Sequence, residues 1–274
     1  MPASLPTISI VMPSLNHGAY IEAALRSILD QPYPVVEVIV ADGGSIDGTA
    51  AILKRFDSRL STWWSRPDSG PAAALNEGFR HATGDIFGVL NADDFLLPGS
   101  LQTVGTFFAA HPGADVAYGH GYFAAADGAL GVPAFSDRWD ARRFRHGACV
   151  LVQPATFFRR RAYRHAGGFR QSGRVCWDME LWADLAGSGA QFAAIDAHLA
   201  AFRLHGNSMT ASPRLRACRQ QDARSVASQF AGAPERAGDR ALHYLYRAMK
   251  FGRHPIRALR QRWYFRQSIG RWSL

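Results

Sequence analysis

Short apolar and β-branched runs alternate with amphipathic stretches over the first 120 residues of the chain. In residues 20–29, for example, Ile21, Leu25 and Ile28 recur at helical spacing and form one apolar stripe. The pattern predicts strands at residues 8–12, 35–40, 61–64, 86–90 and 116–118, and helices at residues 20–29, 49–56, 72–81 and 100–109. Such alternation is typical of a parallel sheet with helices on its faces.

Polar, turn-forming residues follow each predicted strand, at the edge where open α/β sheets bind ligands. Asp42 and Asp68 each stand in such a turn, where a carboxylate can bind a ligand, although such a residue taken singly is more often a turn or cap residue. Asp93 and Asp94 are adjacent carboxylates, which repel each other unless a cation or hydrogen-bond donors stabilise them. A divalent cation with oxygen ligands is one explanation, and a solvated acidic turn that caps the next helix is the other.

The alternation breaks down between about residues 121 and 207. The pattern there predicts a strand at residues 156–158, a helix at 177–186 and two short strands at 191–195 and 199–204. We expect these elements to complete the sheet and cover the site. The predicted organisation is a domain of residues 1–212 with two halves that meet at about residue 120, followed by a helical basic extension, 213–274.

Charge and composition exclude several classes of protein. The 274 residues carry a net charge of +9, but eight of the 31 basic residues and none of the 22 acidic ones lie in residues 241–274. The remaining body has a net charge of only +1, which disfavours a nucleic-acid binder. No apolar run approaches a membrane span and no secretory signal is visible. Three widely spaced cysteines fit a reducing cytoplasm.

The motifs together carry a resemblance that no single one does. They run in order through about residues 7 to 210: Pro13-Ser14-Leu15-Asn16, Ser27-Ile28-Leu29-Asp30-Gln31, Asp42-Gly43-Gly44-Ser45-Ile46-Asp47-Gly48-Thr49, Asp68-Ser69-Gly70, Gly84-Asp85, Asn91-Ala92-Asp93-Asp94, Gln153-Pro154-Ala155-Thr156-Phe157-Phe158, Gly167-Gly168-Phe169, Trp177-Asp178-Met179-Glu180-Leu181-Trp182 and Arg203-Leu204-His205-Gly206-Asn207-Ser208. In these residues the chain resembles the family 2 glycosyltransferases. The resemblance implies the GT-A fold, an α/β fold with a mostly parallel central sheet flanked by helices.

The resemblance also implies a nucleotide-binding half to about residue 120, with a donor site at the strand ends, and an acceptor and catalytic half from about 121 to 212. The residues that would bind the nucleotide sugar are Pro13, Ser14, Asn16, Asp42, Asp68, Asn91, Asp93 and His205. Asp93, with Asp94 beside it, would hold Mn²⁺ or Mg²⁺ on the donor diphosphate. Asn91 stands where the family usually has Asp, which lowers the charge of the site. Two roles are open for His205, a contact with the diphosphate or metal and a structural role. Two are also open for Arg203, phosphate neutralisation and a position on the surface.

Asp178 matches the position of the family's catalytic base. The predicted helix begins near Trp177, so its dipole would favour the ionised form of Asp178 in the cleft. The alternative is a cap for that helix. Trp177 replaces a common acidic partner, and Glu180 is therefore a second candidate for the base. The implied reaction is an inverting transfer from a nucleotide-diphosphate donor to a hydroxyl of a glycan or lipid-linked acceptor. The resemblance favours UDP as the nucleotide, and GDP and TDP are the alternatives.

Two other functions compete with this interpretation. A sugar-1-phosphate nucleotidyltransferase predicts a Gly-rich first loop with Arg and Lys, and the first strand here ends in Pro-Ser-Leu-Asn instead. A non-catalytic homologue that only binds nucleotide sugars is the other. The tail of residues 241–274 interleaves aromatic and basic residues, which suits a membrane surface or packing on the domain or a dimer mate. We therefore expect a cytoplasmic enzyme that acts at the inner face of the membrane or free of it.

Overall fold

The computed structural model describes residues 5–171 and 175–206 and, beyond them, positions 208, 222, 226, 238, 241, 242, 244–246, 248, 249 and 259. Its strands are β1 (Ile8–Ser14), β2 (Val36–Asp42), β3 (Thr62–Ser65), β4 (Ile86–Val89), β5 (Phe95–Leu96), β6 (Val116–Ala124), β7 (Leu130–Ala134), β8 (Thr156–Arg159) and β9 (Phe192–Arg203). Its helices are α1 (Ile21–Leu29), α2 (Thr49–Phe56), α3 (Pro71–His81), α4 (Ser100–Ala110), α5 (Ala141–Arg145), α6 (Arg160–Ala166) and α7 (Trp177–Gly187), with 3₁₀ turns at Asp57–Arg59 and Gln153–Ala155.

The described strands form one sheet in the order β3-β2-β1-β4-β8-β6-β9-β5, with β7 paired to β6. The first four strands are parallel neighbours, as the sequence predicts. Beyond β4 the sheet is mixed, because β8 runs antiparallel between β4 and β6 while β6 and β9 are parallel. The α/β class and the parallel pairing of β1 to β4 are therefore confirmed, and the second half of the sheet adds antiparallel strands.

Both faces of the sheet are covered by apolar packing. On β1, Ile8, Ile10 and Met12 belong to one buried cluster, and Val11 belongs to the cluster on the opposite face. This division follows from the pleat, which sends successive side chains to opposite faces of a strand. Helix α3 packs so closely on the second face that a Cβ at Gly78 would lie 2.4 Å from a Val11 methyl group. Helix α3 therefore packs in direct contact with β1.

The second half differs from the predicted pattern. Residues 192–203 form one continuous strand, β9, rather than two short pieces. Its parallel pairing with β6 shifts register twice around His120, so the burial along β9 has no regular period that sequence could reveal. The two-residue β5 and the short α5 were not predicted either, because elements of that length leave little pattern.

One sequence expectation lies mostly outside the described residues. The helical extension 213–274 is described only at single positions, so its boundary stays a prediction. Within the part of the chain that the structure covers, no helix has the length and apolar character needed to cross a bilayer.

Candidate functional site

The ends of β1, β2 and β4 meet at one edge of the sheet. Ser14 and Asp42 are partners in the β1–β2 register. The backbone N–H of Ala92, just after β4, donates to the carbonyl of Pro13 at 3.4 Å. The parallel arrangement therefore brings three of the predicted strand-end loops together.

Asp42 is fully buried and shapes the second loop. One carboxylate oxygen accepts from the Ser45 backbone N–H (2.9 Å) and the Ser65 hydroxyl (2.5 Å), and the other from the Ser45 hydroxyl (2.5 Å). Asp68 is exposed and accepts from the Gly70 N–H at 2.7 Å. A Cβ at Gly43 would lie 3.1 Å from an Asp68 oxygen, so the loops that carry the two aspartates are in close approach.

Asn16 joins the first loop to the second. Its backbone has a left-handed φ of 56°, a conformation that asparagine tolerates better than most residues. Its N–H donates to the Ser45 hydroxyl (2.6 Å), and its Oδ1 accepts from the Ile46 N–H (3.0 Å). The hydroxyl of Ser14 is buried and has no hydrogen-bond partner among the described residues. It is therefore a polar group at this edge that a ligand could satisfy.

Asp94 is 1% exposed and is held from two sides. Its carboxylate accepts from the Arg203 backbone N–H (2.9 Å) and from the Asn91 side-chain amide (3.2 Å). Burial, reinforced by the neighbouring Asp93 charge, raises the pKa of Asp94 well above its usual range. The Asn91 amide also donates to Gln153 Oε1 at 3.1 Å. An aspartate carboxylate at position 91 could not donate either of these hydrogen bonds, which explains the asparagine there.

Asp93 is flanked by two imidazoles. Its Oδ2 lies 3.0 Å from His205 Nε2 and 3.9 Å from His17 Nε2. The Leu15 N–H donates to His17 Nδ1 (3.2 Å), which turns His17 Nε2 toward Asp93. Sequence reasoning did not single out His17, and its position directly after Asn16 in a strand-end loop was the available signal.

His205 is buried and its ring lies 4.5 Å from the Tyr20 ring, centroid to centroid. Its Nδ1 has no hydrogen-bond partner among the described residues. With Nε2 facing Asp93, the imidazole and the carboxylate present adjacent ligand atoms. No group of three or more His, Cys, Asp or Glu side chains in the described part forms a complete metal site. Two adjacent ligands fit an ion whose other positions are filled by substrate phosphate oxygens, as is common for Mg²⁺.

Arg203 is 4% exposed, so it does not lie on the surface. Its Nε donates to the Asp93 carbonyl (2.7 Å) and an Nη to the Ala126 carbonyl (2.8 Å). The guanidinium lies between the rings of Tyr20 (5.2 Å) and Phe95 (5.1 Å). The surface position expected for Arg203 is therefore wrong, and phosphate neutralisation by its guanidinium stays a prediction. Its hydrogen bonds hold the acidic loop (residues 91–94) against β9.

Asp178 is half-buried in the first turn of α7. Burial raises its pKa to about 6, although hydrogen bonds from backbone N–H groups partly oppose the shift. The hydrogen bonds that join Asp93, Asp94 and Arg203 do not reach Asp178 within the described residues. Glu180, the second candidate, is buried among the apolar residues of α7.

A depression of about 460 Å³ lies at the opposite, amino-terminal edge of the sheet, near Asp85 and Phe108. Of its arginines, Arg159 donates to three backbone carbonyls and Arg161 pairs with Asp115. These guanidinium groups stabilise the fold, and the depression is remote from the acidic loop.

A family model described as glycosyl transferase family 2 matches residues 9–166. An uncharacterized glycosyltransferase of Haemophilus influenzae is 35% identical over 102 residues, which are 36% of this chain and 41% of that protein. The succinoglycan biosynthesis protein ExoU of Rhizobium meliloti is 30% identical over 233 residues, 78% of this chain and 67% of ExoU. The GalNAc(5)-diNAcBac-PP-undecaprenol β-1,3-glucosyltransferase of Campylobacter jejuni is 32% identical over 104 residues, 36% of this chain and 34% of that enzyme.

Solved structures share the fold at low sequence identity. S. aureus TarS 1-349 in complex with UDP-GlcNAc superposes with a TM-score of 0.68 at 17% identity, over 90% of this chain and 72% of that one. The mannosyltransferase PcManGT of Pyrobaculum calidifontis, in complex with GDP-Man and Mn²⁺, gives a TM-score of 0.64 at 19% identity, over 100% of this chain and 78% of that one. At these identities the likeness supports the fold alone.

Proposed function

Since the chain belongs to glycosyl transferase family 2, we propose that it catalyses a metal-assisted, inverting transfer of a sugar from a nucleotide-diphosphate donor to an acceptor hydroxyl. The observation that carries the proposal is the edge of the sheet where Asp93, flanked by His205 and His17, stands beside the loops that end β1 and β2. The proposed transferred group is a hexosyl or N-acetylhexosaminyl group. UDP is the first donor nucleotide to test, and GDP and TDP are the alternatives.

The nucleotide would bind along the loops that hold Ser14, Asn16, Asp42 and Asp68. The Ser14 hydroxyl offers an unsatisfied polar group, and the exposed Asp68 offers a carboxylate to a ribose or base. Asp42 already accepts three hydrogen bonds, from its own loop and from β3. We therefore propose that it shapes the pocket and does not contact the nucleotide directly. Pro13 accepts from Ala92 and keeps the first loop beside the acidic one.

The residues that would hold Mn²⁺ or Mg²⁺ are Asp93 and His205, whose ligand atoms are 3.0 Å apart. When bound, the ion supplies Lewis-acid neutralisation of the leaving diphosphate. Asp94 is buried and bonded to Arg203 and Asn91, which favours Asp93 over Asp94 as the ligand. Asp94 and Arg203 would instead keep the acidic loop at a fixed place on β9.

Asp178 would remove the proton from the acceptor hydroxyl as the acceptor oxygen attacks the anomeric carbon of the donor sugar. The bond to the diphosphate breaks in the same displacement, so the configuration inverts and the proton stays on the carboxylate. A pKa near 6 leaves Asp178 ionised at neutral pH while making it a stronger base than an ordinary aspartate. We prefer Asp178 to Glu180, which lies on the buried side of α7.

The acceptor would be a glycan or a lipid-linked saccharide. ExoU is named for succinoglycan biosynthesis, and the Campylobacter enzyme for an undecaprenol-linked saccharide. For a lipid-linked acceptor, contact of residues 241–274 with the membrane surface would be useful. Among the described positions of this tail, Tyr244 and Leu245 are exposed, while the Tyr246 ring lies 5.9 Å from His146. Membrane contact therefore stays a proposal beside packing on the domain.

A panel of UDP-, GDP- and TDP-sugars tests the proposal. Each is incubated with the protein, with and without Mn²⁺, and release of the nucleoside diphosphate is measured against the Asp178→Asn variant. We expect one nucleotide class to be hydrolysed slowly by the wild type and not by the variant. Binding without release in both proteins would favour the non-catalytic homologue, and release of pyrophosphate from a sugar 1-phosphate and nucleoside triphosphate would favour the nucleotidyltransferase.

A further inference from the structure

The chain just before helix α7 is held by a residue from much further along the sequence. A single carboxylate oxygen of Asp222 accepts hydrogen bonds from the backbone N–H groups of Val175 (2.9 Å) and Cys176 (3.3 Å). Cys176 is the residue that precedes α7, and Asp178 is the second residue of that helix. The contact therefore lies two residues from the proposed base, although Asp222 is 46 residues away from Cys176 in sequence.

A second contact ties the same part of the chain to α7. Val226 is buried and belongs to the apolar cluster that contains Trp177, Leu181 and Leu185 of the helix. The Cys176 side chain does not cap the helix. The start of α7 is therefore held by the Asp222 carboxylate, and Val226 belongs to the same apolar cluster as the helix. These two residues are close together in the sequence.

We propose that Asp222 is a positioning residue for the transfer reaction, because its carboxylate fixes the path of the chain into α7 and so the direction of the Asp178 side chain. The inference rests on the proposed function, in which Asp178 is the base. Displacing a catalytic group by about 1 Å can lower a rate by about 100-fold. The donor site should be spared, because Asp93, His205 and the strand-end loops belong to other elements.

Two substitutions test the role of Asp222. Asp222→Ala removes the acceptor, and we expect kcat to fall by roughly 10- to 100-fold with the donor KM within about twofold of the wild type. Asp222→Asn keeps an oxygen that can accept both N–H bonds, and it should restore kcat to within about threefold of the wild type. Turnover is measured as nucleoside diphosphate release from the same panel of UDP-, GDP- and TDP-sugars. Hydrogen exchange at the Val175 and Cys176 amides should accelerate in Asp222→Ala alone.

Asp137→Ala is the matched control. Asp137 also accepts from a backbone N–H, that of Val150 at 2.9 Å, but outside α7. Its removal should cost a similar amount of stability and leave kcat near the wild-type value.

The outcomes separate this inference from the proposed function. Full activity in Asp222→Ala, equal loss of donor binding and kcat, or an Asp222→Asn variant as slow as Asp222→Ala would each overturn the positioning role. If Asp222→Ala does not fold, the Asp222→Asn variant is the test. In that variant the Val175 and Cys176 amides must stay protected from hydrogen exchange and kcat must stay close to the wild-type value. An Asp178→Asn variant that keeps turnover would refute the base assignment itself, whatever Asp222 does.

Discussion

Replacing Asp178 with asparagine should abolish sugar transfer and, at alkaline pH, stabilise the folded protein. A general base is lost in this variant, because an amide cannot take the acceptor proton. The stability effect follows from burial, which favours the neutral form of this side chain. A residue that only caps α7 predicts the opposite sign, since its ionised carboxylate would stabilise the helix start. The variant therefore tests the two roles against each other.

The magnitude follows from the pKa of Asp178, which burial raises from 3.8 to about 6. The folded state binds the proton more tightly than the unfolded state, so this contribution to stability is complete below about pH 4 and is lost as the pH rises through about 6. A shift of that size corresponds to about 3 kcal/mol. Because water still reaches the half-buried carboxylate, we expect Asp178→Asn to be more stable than the wild type by about 1–2 kcal/mol at pH 8.

Denaturant unfolding of both proteins between pH 4 and 8 measures the effect, and the pH dependence of kcat should show an acidic limb near the same pKa of about 6. Asp184→Asn is the control on the same helix. Its carboxylate pairs with Arg170, so the substitution should destabilise the protein at neutral pH. An Asp178→Asn variant that is less stable than the wild type at pH 8, or that retains turnover, would refute the assignment of Asp178 as a buried base.

Three further predictions concern the acidic loop and the tail. Asp93→Ala should weaken Mn²⁺-dependent donor binding by at least about tenfold in calorimetry while sparing metal-free binding, and an unchanged Mn²⁺-dependent affinity would count against its role. Arg203→Met should cost about 3 kcal/mol of unfolding free energy, because two charged hydrogen bonds are lost; a cost below about 1 kcal/mol in urea titration would contradict its anchoring role. Full-length protein should float with anionic liposomes better than a chain lacking residues 241–274, and equal recovery would rule out membrane contact by the tail.

The first half of the fold, to about residue 120, was largely predictable from sequence. Helix α2 was predicted at the observed residues, and β1 and α1 within two. Helices α1 and α2 bury side chains at helical spacing, and β1 is a short run that is buried along its whole length. Both signals are local in the sequence. The same alternation predicted that the strand-end loops would meet, which the β1–β2 register and the Ala92–Pro13 hydrogen bond confirm.

The remaining features depend on contacts that no local pattern records. The antiparallel β8 is a four-residue strand whose neighbours are set by the whole sheet. Arg203 and His17 owe their positions to packing against other loops, and charge alone suggested a phosphate ligand for Arg203. Asp222 lies in a region where the sequence predicts only helix, so its contact with Cys176 was not foreseeable.

The anchoring of the acidic loop has a consequence for how the protein is made. Asp93 and Asp94 take their partners from Arg203 and His205, which follow them by 109 to 112 residues. During synthesis from the N-terminus, the parallel strands β1 to β4 can pair long before those partners leave the ribosome. The acidic loop therefore acquires its final form only after β9 has emerged. A nascent or truncated chain that ends before residue 203 would have the loops after β1 and β2 but no anchored acidic loop, so the proposed donor site would be completed late in translation.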